Sequence, residues 1–600
     1  MTAPDLAGVS ATVLSSAPLS AAVIVAVAVP LAGAVVAVAP RVAARLAGWL
    51  WVAPLPALAL AIPEATGAVD LPWLLLETRL ANDDLARPLL AMTAVVWVAA
   101  GLAAPGLVTD VGRPRFVVAF LAALGGNLTV LLAADLVTFY AGFAVLTYAG
   151  YALVAHERTA TAWHAARAYL AFAVLGEALL LAGLALAAAQ ADSLALADVA
   201  AGLGASPHPA AGLLLAGFGV KAGLLGLHSW LPLAHPAAPV PASAVLSGCL
   251  IKAGVVGWVR LLPLGEIAMP VLGGIAMTLG LLGVFVAAVL GALQHEPKTM
   301  LAYSSVSQIG LVALAVGAGA AVPEAAVVAT GTAALFVVVH GFAKATLFLG
   351  TGVAASEGRR RPGRVLLAGQ AVAALVLAGA PLGGGMLVKE GLKEATRTLG
   401  PPLGTELEQL VVPGTGAATA LLLGRVVLLL AAKQRTAGAG AGGGSAAPGA
   451  GGASARVWSA WGLVLAGAVA APWLLLPRTT APAPTDVLAF GARVEALWPM
   501  AIGRGTLAVV RWPARAVVPA GDLLVPLGAA ARRAGAAWPG PGAVRSVAAP
   551  RLAAVSRHAG RSVTHAVDVG EALLGAWRRT GLVAGVLLLT LLAALVAARL

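Results

Sequence analysis

The 600-residue chain has one cysteine, Cys249, and only 10% charged residues. A single thiol rules out a disulfide within the chain. It also leaves the chain short of the roughly four thiolates that an iron–sulfur cluster needs. No group of histidine, cysteine and carboxylate has the spacing of a zinc site. Soluble domains carry about 25% charged residues, so a soluble globule of this size could not solvate its surface. Lysine is scarcer still. Of 38 basic residues, seven are lysines, at 221, 252, 298, 344, 389, 393 and 433, and 31 are arginines. In a chain that prefers arginine so strongly, each lysine needs a reason.

What is present is apolar. Sixty per cent of the residues are hydrophobic, which excludes disorder. The 72 glycines follow no period of three, which excludes collagen. The class that fits is an all-α polytopic membrane protein. A net charge of +13 could suggest nucleic acid, but the arginines stand at the ends of apolar runs. Cytoplasmic loops and lipid headgroups account for them better, and no nucleic-acid partner is expected.

About 20 apolar residues cross the hydrocarbon of a bilayer. Candidate spans are 19–39, 46–62, 85–104, 115–134, 136–155, 165–189, 209–229, 240–262, 269–293, 300–320, 325–353, 365–388, 409–432, 457–476 and 581–598. The second carries Pro54 and Pro56 and is the least regular. Allowing for a hidden crossing, 14–16 transmembrane helices are expected. Basic residues follow odd-numbered spans (Arg41, Arg45, Arg113, Arg115, Arg158, Arg167, Lys298, Arg359 to Arg361, Arg364, Lys433, Arg435), and acids follow even-numbered ones (Asp70, Asp83, Asp84, Asp135, Asp192, Asp198, Glu324). The positive-inside rule then puts the N-terminus outside. The first span lacks a basic start, which reads as a retained helix rather than a signal peptide.

Residues 436–455 are glycine, alanine and serine with one proline, which reads as a linker. It lacks the Lys-Ser/Thr ending of a phosphate loop. Residues 477–580 mix arginine, proline, tryptophan and aliphatics, with amphipathic stretches at 493–501 and 549–577. They read as helices lying along the membrane surface. Charge balance asks for one further crossing there. The expected organisation is 1–114, N-terminal helices; 115–264 and 265–432, two five-helix units; 433–456, linker; and 457–600, a helix, a lateral region and a final anchor.

Four lysines fall inside spans: Lys221, Lys252, Lys344 and Lys389. On insertion scales each costs about 2.5–3.5 kcal/mol at the membrane centre. Snorkelling to an interface is the plain alternative, but arginine would snorkel equally well. Lysine can release its proton when desolvated, whereas arginine stays charged. Membrane lysines in an arginine-preferring chain therefore suggest proton transfer. The pattern Val/Ile-Lys-x-Gly-Leu/Val recurs at Lys221, Lys252 and Lys389. Gly217, Gly219, Gly223 and Gly226 precede Pro232, and Pro381 with Gly383, Gly384 and Gly385 precedes Lys389. Both places invite a broken helix, which a membrane tolerates where backbone lines a cavity or is buried. His340 and Lys344 share one helix face, with His340 either a relay group or a packed histidine. Ser304, Ser305, Ser307 and Gln308 form a polar stripe that could hold water or bind helices together.

Three longer motifs carry a family resemblance. The first runs from Gly217 to Arg260 and includes Lys221, His228-Ser229-Trp230-Leu231-Pro232, Ala234-His235, Ala238-Pro239, Ser243-Ala244 and Lys252-Ala253-Gly254. The second is Pro297 to Gly310, and the third His340 to Ala345 with Phe348. Over roughly residues 85–432 the chain resembles the antiporter-like membrane subunits of respiratory complex I, group 4 membrane-bound hydrogenases and Mrp-type sodium/proton antiporters.

The resemblance implies two inverted five-helix repeats, with spans seven and twelve broken. It implies proton-carrying roles for Lys221, Lys252 and Lys389, a relay through His340 and Lys344, and supporting roles for His228, Ser304, Ser305 and Gln308. It likens the tail after 477 to a lateral helix with its anchor. It implies partner membrane subunits, the lipid bilayer of the inner (plasma) membrane, protons with Na+ as a second candidate ion, and no resident cofactor, metal or catalytic centre in this chain. Any redox chemistry would belong to partners. One departure stands out. The family's usual glutamate in span five aligns with Ala144. Glu177 in span six is the nearest membrane carboxylate, and either substitutes for it or satisfies a local contact. The expected function is proton translocation within a complex I-like oxidoreductase. The alternatives are a cation/proton antiporter without redox chemistry, and a diverged scaffold.

Overall fold

The computed structural model describes residues 6–61, 67–191, 193–204, 209–356, 363–439, 454–475, 490–510 and 518–521. Among these, eleven helices are long and apolar enough to cross a membrane, or twelve with one bent pair. The chain is a multi-pass membrane protein.

The elements follow the expected spans closely. They begin with α1 (Leu6–Val36), α2 (Pro40–Leu46) and α3 (Leu55–Ala59). The short helix pair after α1, Pro40–Leu46 and Leu50–Ala59, is bent by 68° across Ala47 to Trp49, and Pro54 and Pro56 lie within its second member. A two-stranded antiparallel hairpin, β1 (Gly67–Leu71) and β2 (Thr78–Asn82), comes next. Next come α4 (Ala86–Leu107), α5 (Arg113–Leu132), α6 (Leu136–Val154), α7 (Ala160–Ala188), α8 (Leu196–Gly204), α9 (Pro209–Ala222), α10 (Leu231–Ala237), α11 (Val240–Val245) and α12 (Lys252–Leu261). They are followed by α13 (Pro270–Ala292), α14 (Pro297–Ala321), α15 (Ala326–Ser356), α16 (Arg364–Ala378), α17 (Gly384–Arg397), α18 (Leu403–Glu406) and α19 (Val412–Ala439). After these come α20 (Ala455–Leu475) and α21 (Phe490–Val509).

Two spans are broken, as the glycine and proline clusters suggested. Span seven divides into α9 and α10, with Gly223 and Gly226 at φ of 81° and 88°. Span twelve divides into α16 and α17, with α16 ended by Gly379 in the left-handed region. Span eight holds a feature that periodicity does not reveal. A π-helical turn, Leu246–Leu250, joins α11 to α12. Such turns insert one residue and re-aim the side chains around them.

Charges sort the loops into two ends. At one end Arg260 pairs with Asp83 at 2.8 Å, and Asp135 caps α6 through Thr138 and receives the Arg79 amide at 2.7 Å. At the other end His156 stands among Arg115 and Arg158, and Lys298 is an electrostatic neighbour of Glu157. Odd-numbered span ends thus meet each other, as do even-numbered ones. Lys298 itself departs from expectation. It is not a free loop charge but 9% exposed, with its amine donating to the carbonyls of Ala238 (2.5 Å) and Pro236 (3.5 Å). The exposed carbonyls at the end of α10 give it a reason to turn inward.

The tail also departs from expectation. Phe490–Val509 does not lie across the others on a surface. It runs parallel to α19, with Pro499 against Gly416, Gly503 against Ala417 and Ala420, and Leu507 against Gly424. Small residues permit that approach. Residues 549–577 and the last span at 581–598 lie outside the described residues, as does 440–453 of the linker. The linker's first residues are helical to Ala439.

Candidate functional site

All four membrane lysines are buried: Lys221 7%, Lys252 2%, Lys344 0% and Lys389 9% exposed. None snorkels to an exposed position.

Lys221 sits in the last turn of α9, beside the break. Its amine donates to Thr147 Oγ1 at 2.8 Å and Tyr169 OH at 3.4 Å, and lies 5.1 Å from the Phe143 ring centre. Trp230, just past the break, donates to Val220 O at 3.0 Å and ties the two half-helices together. Tyr169, Gly176 and Glu177 on α7 line one small cavity with Lys221. Glu177 therefore faces the lysine's cavity rather than lipid. Its Oε1 is buried with no hydrogen-bond partner among the described residues. Tyr140 reaches the same carboxylate, and Tyr148 is its electrostatic neighbour. These tyrosines flank Ala144 by one helical turn each way. The carboxylate thus stands over the stretch of α6 where the family's usual glutamate would begin.

The second cluster is central. Lys252 donates to Ser247 O within the π turn and lies 2.5 Å from His340 Nδ1. Ser247 Oγ meets Ser305 Oγ at 3.0 Å, and Ser305 donates to Leu301 O at 3.2 Å. The same carbonyl accepts from Lys344 at 2.8 Å, and Lys344 also bonds Ser304. Lys252, His340, Lys344 and Ser304 to Ser305 thus form one buried hydrogen-bonded chain across α12, α14 and α15. Its geometry depends on a close approach of α15 to the π turn. A Cβ on Gly341 would lie 2.5 Å from Met92 Sδ and 3.0 Å from Gly248 O. His340 stacks on Phe336, with ring centres 5.0 Å apart, which fixes its plane. Among the described residues no hydrogen bond joins this chain to Lys221.

The third cluster surrounds Lys389. Its amine donates to Ala378 O, the last carbonyl of α16, across the break. Gln308, one turn beyond Ser304, donates to Thr419 Oγ1 at 2.8 Å, and Thr419 to Thr415 O at 2.9 Å. This row leads along α19 toward Val412, which shares a cavity with Lys389, Glu390, Lys393, Ala496 and Pro499. The tail helix α21 is therefore one wall of that cavity.

His228 is placed differently. It lies in the break of span seven, fully buried, and its Nδ1 accepts the Gly226 amide at 3.2 Å. It shapes the break. Sequence reading missed Thr147, Tyr169, Ser247 and Lys393. Tyr169 could have been noticed, since the chain has five tyrosines. Ser247 needed the π turn.

Residues 133–367 match the family described as NADH:quinone oxidoreductase/Mrp antiporter, transmembrane. The matched stretch runs from the start of α6 into the first turn of α16. An uncharacterised protein of Mycobacterium tuberculosis is 32% identical over 302 residues, 46% of this chain and 44% of the relative. Hydrogenase-4 component B of Escherichia coli is 32% identical over 149 residues, 24% of this chain and 22% of the relative. The matched segments thus span less than half of these relatives' length. The Mrp complex from a Dietzia species has the same fold, with a TM-score of 0.64 over 93% of this chain and 63% of that chain, at 20% identity. Within the matched stretch lie Lys221, Lys252, His340, Lys344 and Glu177, whereas Lys389 and α21 lie beyond it.

Proposed function

We propose that this chain is a proton-translocating antiporter-like subunit of a complex I-like oxidoreductase, of the NADH-quinone oxidoreductase or group 4 hydrogenase kind. It acts in the inner membrane beside partner membrane subunits. Protons move through Lys221, Lys252, His340, Lys344 and Lys389, and electron transfer belongs to the partners. One observation carries this reading: the buried chain His340–Lys252–Ser247–Ser305–Leu301 O–Lys344–Ser304. Serine hydroxyls and the carbonyls of Ser247 and Leu301 bridge its two lysines, and its lysines and histidine can each hold or release a proton. A purely structural polar core would need no titratable groups, because serine and threonine glue helices at lower cost.

Glu177 takes the part of the missing carboxylate opposite Lys221. Support comes from their shared cavity and from the tyrosines that bring Glu177 over Ala144. A charged Glu177 favours a proton on Lys221. A neutral one lets the proton move on toward Lys252.

The test is proton flux into pyranine-loaded proteoliposomes that hold the native complex. The reading expects flux in the wild type and its loss in Lys344→Met. Unchanged flux in that variant overturns it. The same assay run against a Na+ gradient separates redox-coupled pumping from cation/proton antiport, which would respond to Na+ without any electron donor.

A further inference from the structure

α17 carries a stripe of charge that continues beyond the relay's Lys389. Lys389, Lys393 and Arg397 recur every four residues along one face, with Glu390 and Glu394 beside them. Lys389 is buried at the inner end, and Lys393 Nζ pairs with Glu390 Oε1 at 3.1 Å. Further along, Arg397 pairs with Glu394 at 2.5 Å and with Glu408, and Glu408 is an electrostatic neighbour of Lys393. Exposure rises along the stripe. The Lys393 side chain is 10% exposed, and the Arg397 side chain is 57%. The ladder therefore runs from the Lys389 cavity to the acidic end of the molecule.

Lys389, Glu390 and Lys393 line a single cavity, closed on one side by Ala496 and Pro499 of α21. With Lys389 neutral, the Glu390–Lys393 pair leaves the cavity without net charge. With Lys389 protonated, the cavity holds one excess positive charge, which desolvation makes costly. Glu390 then lies between two ammonium groups, and Lys393 is repelled toward Glu394 and Glu408.

We propose that the Glu390–Lys393 ion pair is the gate through which Lys389 exchanges its proton with the acidic end. This rests on the proton-relay reading and adds the route by which the relay meets solvent. In the outward step the Lys389 N–H bond breaks and a Glu390 O–H bond forms. Glu390 then loses the proton to solvent while Lys393 is displaced, and the pair closes again. No electron moves, and the proton is conserved. α21 keeps lipid and solvent from bypassing the pair.

The experiment is a pH jump across proteoliposomes of the native complex with no electron donor, which reads passive proton leak. Lys393→Ala removes the closing partner and is expected to raise the leak by roughly tenfold, the ratio given by about 1.4 kcal/mol of gate closure. Lys393→Arg keeps the pair and should hold the leak near wild type. Lys389→Ala combined with Lys393→Ala should abolish the added leak, which a general loosening of the fold would not do. A Lys393→Ala leak equal to wild type overturns the gate. So does a raised leak that persists without Lys389. If donor-driven flux in the wild type depends on Lys389 while Lys393→Ala changes neither flux nor leak, the gate fails and the relay stands. If flux does not depend on Lys389 at all, the relay itself fails.

Discussion

Replacing Lys252 by arginine separates a proton carrier from a fixed positive charge. Lys252 is 2% exposed, donates to Ser247 O and lies 2.5 Å from His340 Nδ1. Arginine keeps the charge and the donors. Arginine stays charged at neutral pH, and releasing its proton at pH 7 costs at least about 7 kcal/mol. That slows the step by roughly five powers of ten. The larger side chain adds overpacking of about 1–3 kcal/mol, so folding is checked by thermal stability in detergent. Lys252→Met serves as the uncharged control and leaves Ser247 O and His340 without their donor, at about 1–3 kcal/mol. Donor-driven proton uptake by inverted membrane vesicles reads the outcome. Both variants should lose flux. If Lys252→Arg retains more than half of it while Lys252→Met loses it, Lys252 is only a charge, and the relay argument is refuted at this residue.

Further predictions follow from the same geometry. Gly341→Ala pushes α15 away from Gly248 O and lengthens the Lys252–His340 contact. Flux should fall several-fold while every titratable group is kept, and unchanged flux would show that the close approach does not matter. Glu177→Gln should lower flux, and Ala144→Glu added to it should restore flux in part. If the double variant recovers nothing, the two positions do not share a role. His156, in the turn between α6 and α7, is 5% exposed, and burial with Arg115 and Arg158 nearby holds its pKa down to about 4. A depressed histidine is fully favourable above its unfolded pKa of about 6.5. That stability is lost as pH falls from about 6.5 to 4, at up to about 1.4 kcal/mol per pH unit. The detergent-solubilised protein should lose thermal stability across that window, and His156→Gln should lose less. An equal acid loss in the variant would assign the effect elsewhere.

Much of the architecture was legible because membranes simplify the reading. Apolar length located the spans, and glycine–proline clusters marked both breaks beside Lys221 and Lys389. The scarcity of lysine drew attention to the four lysines in spans, and all four are buried. What stayed hidden required neighbours in space. The π turn that aims Lys252 at His340 leaves no periodic signature over five residues. Lys298 looked like a loop charge because sequence does not show the carbonyls of α10 above it. Phe490–Val509 read as amphipathic because Arg493, Glu495 and Arg504 interrupt its apolar run, yet small residues seat it against α19. Glu177 was visible as a lone carboxylate, but only packing shows that it shares a cavity with Lys221.

The central claim is that protons pass through lysines at both ends of one buried path. The most direct measurement compares donor-driven proton flux in vesicles carrying wild type, Lys221→Ala and Lys389→Ala, with the amount of assembled complex matched. The account predicts that each single variant loses proton flux while electron transfer by the partner subunits continues. Flux equal to wild type in both variants would contradict it.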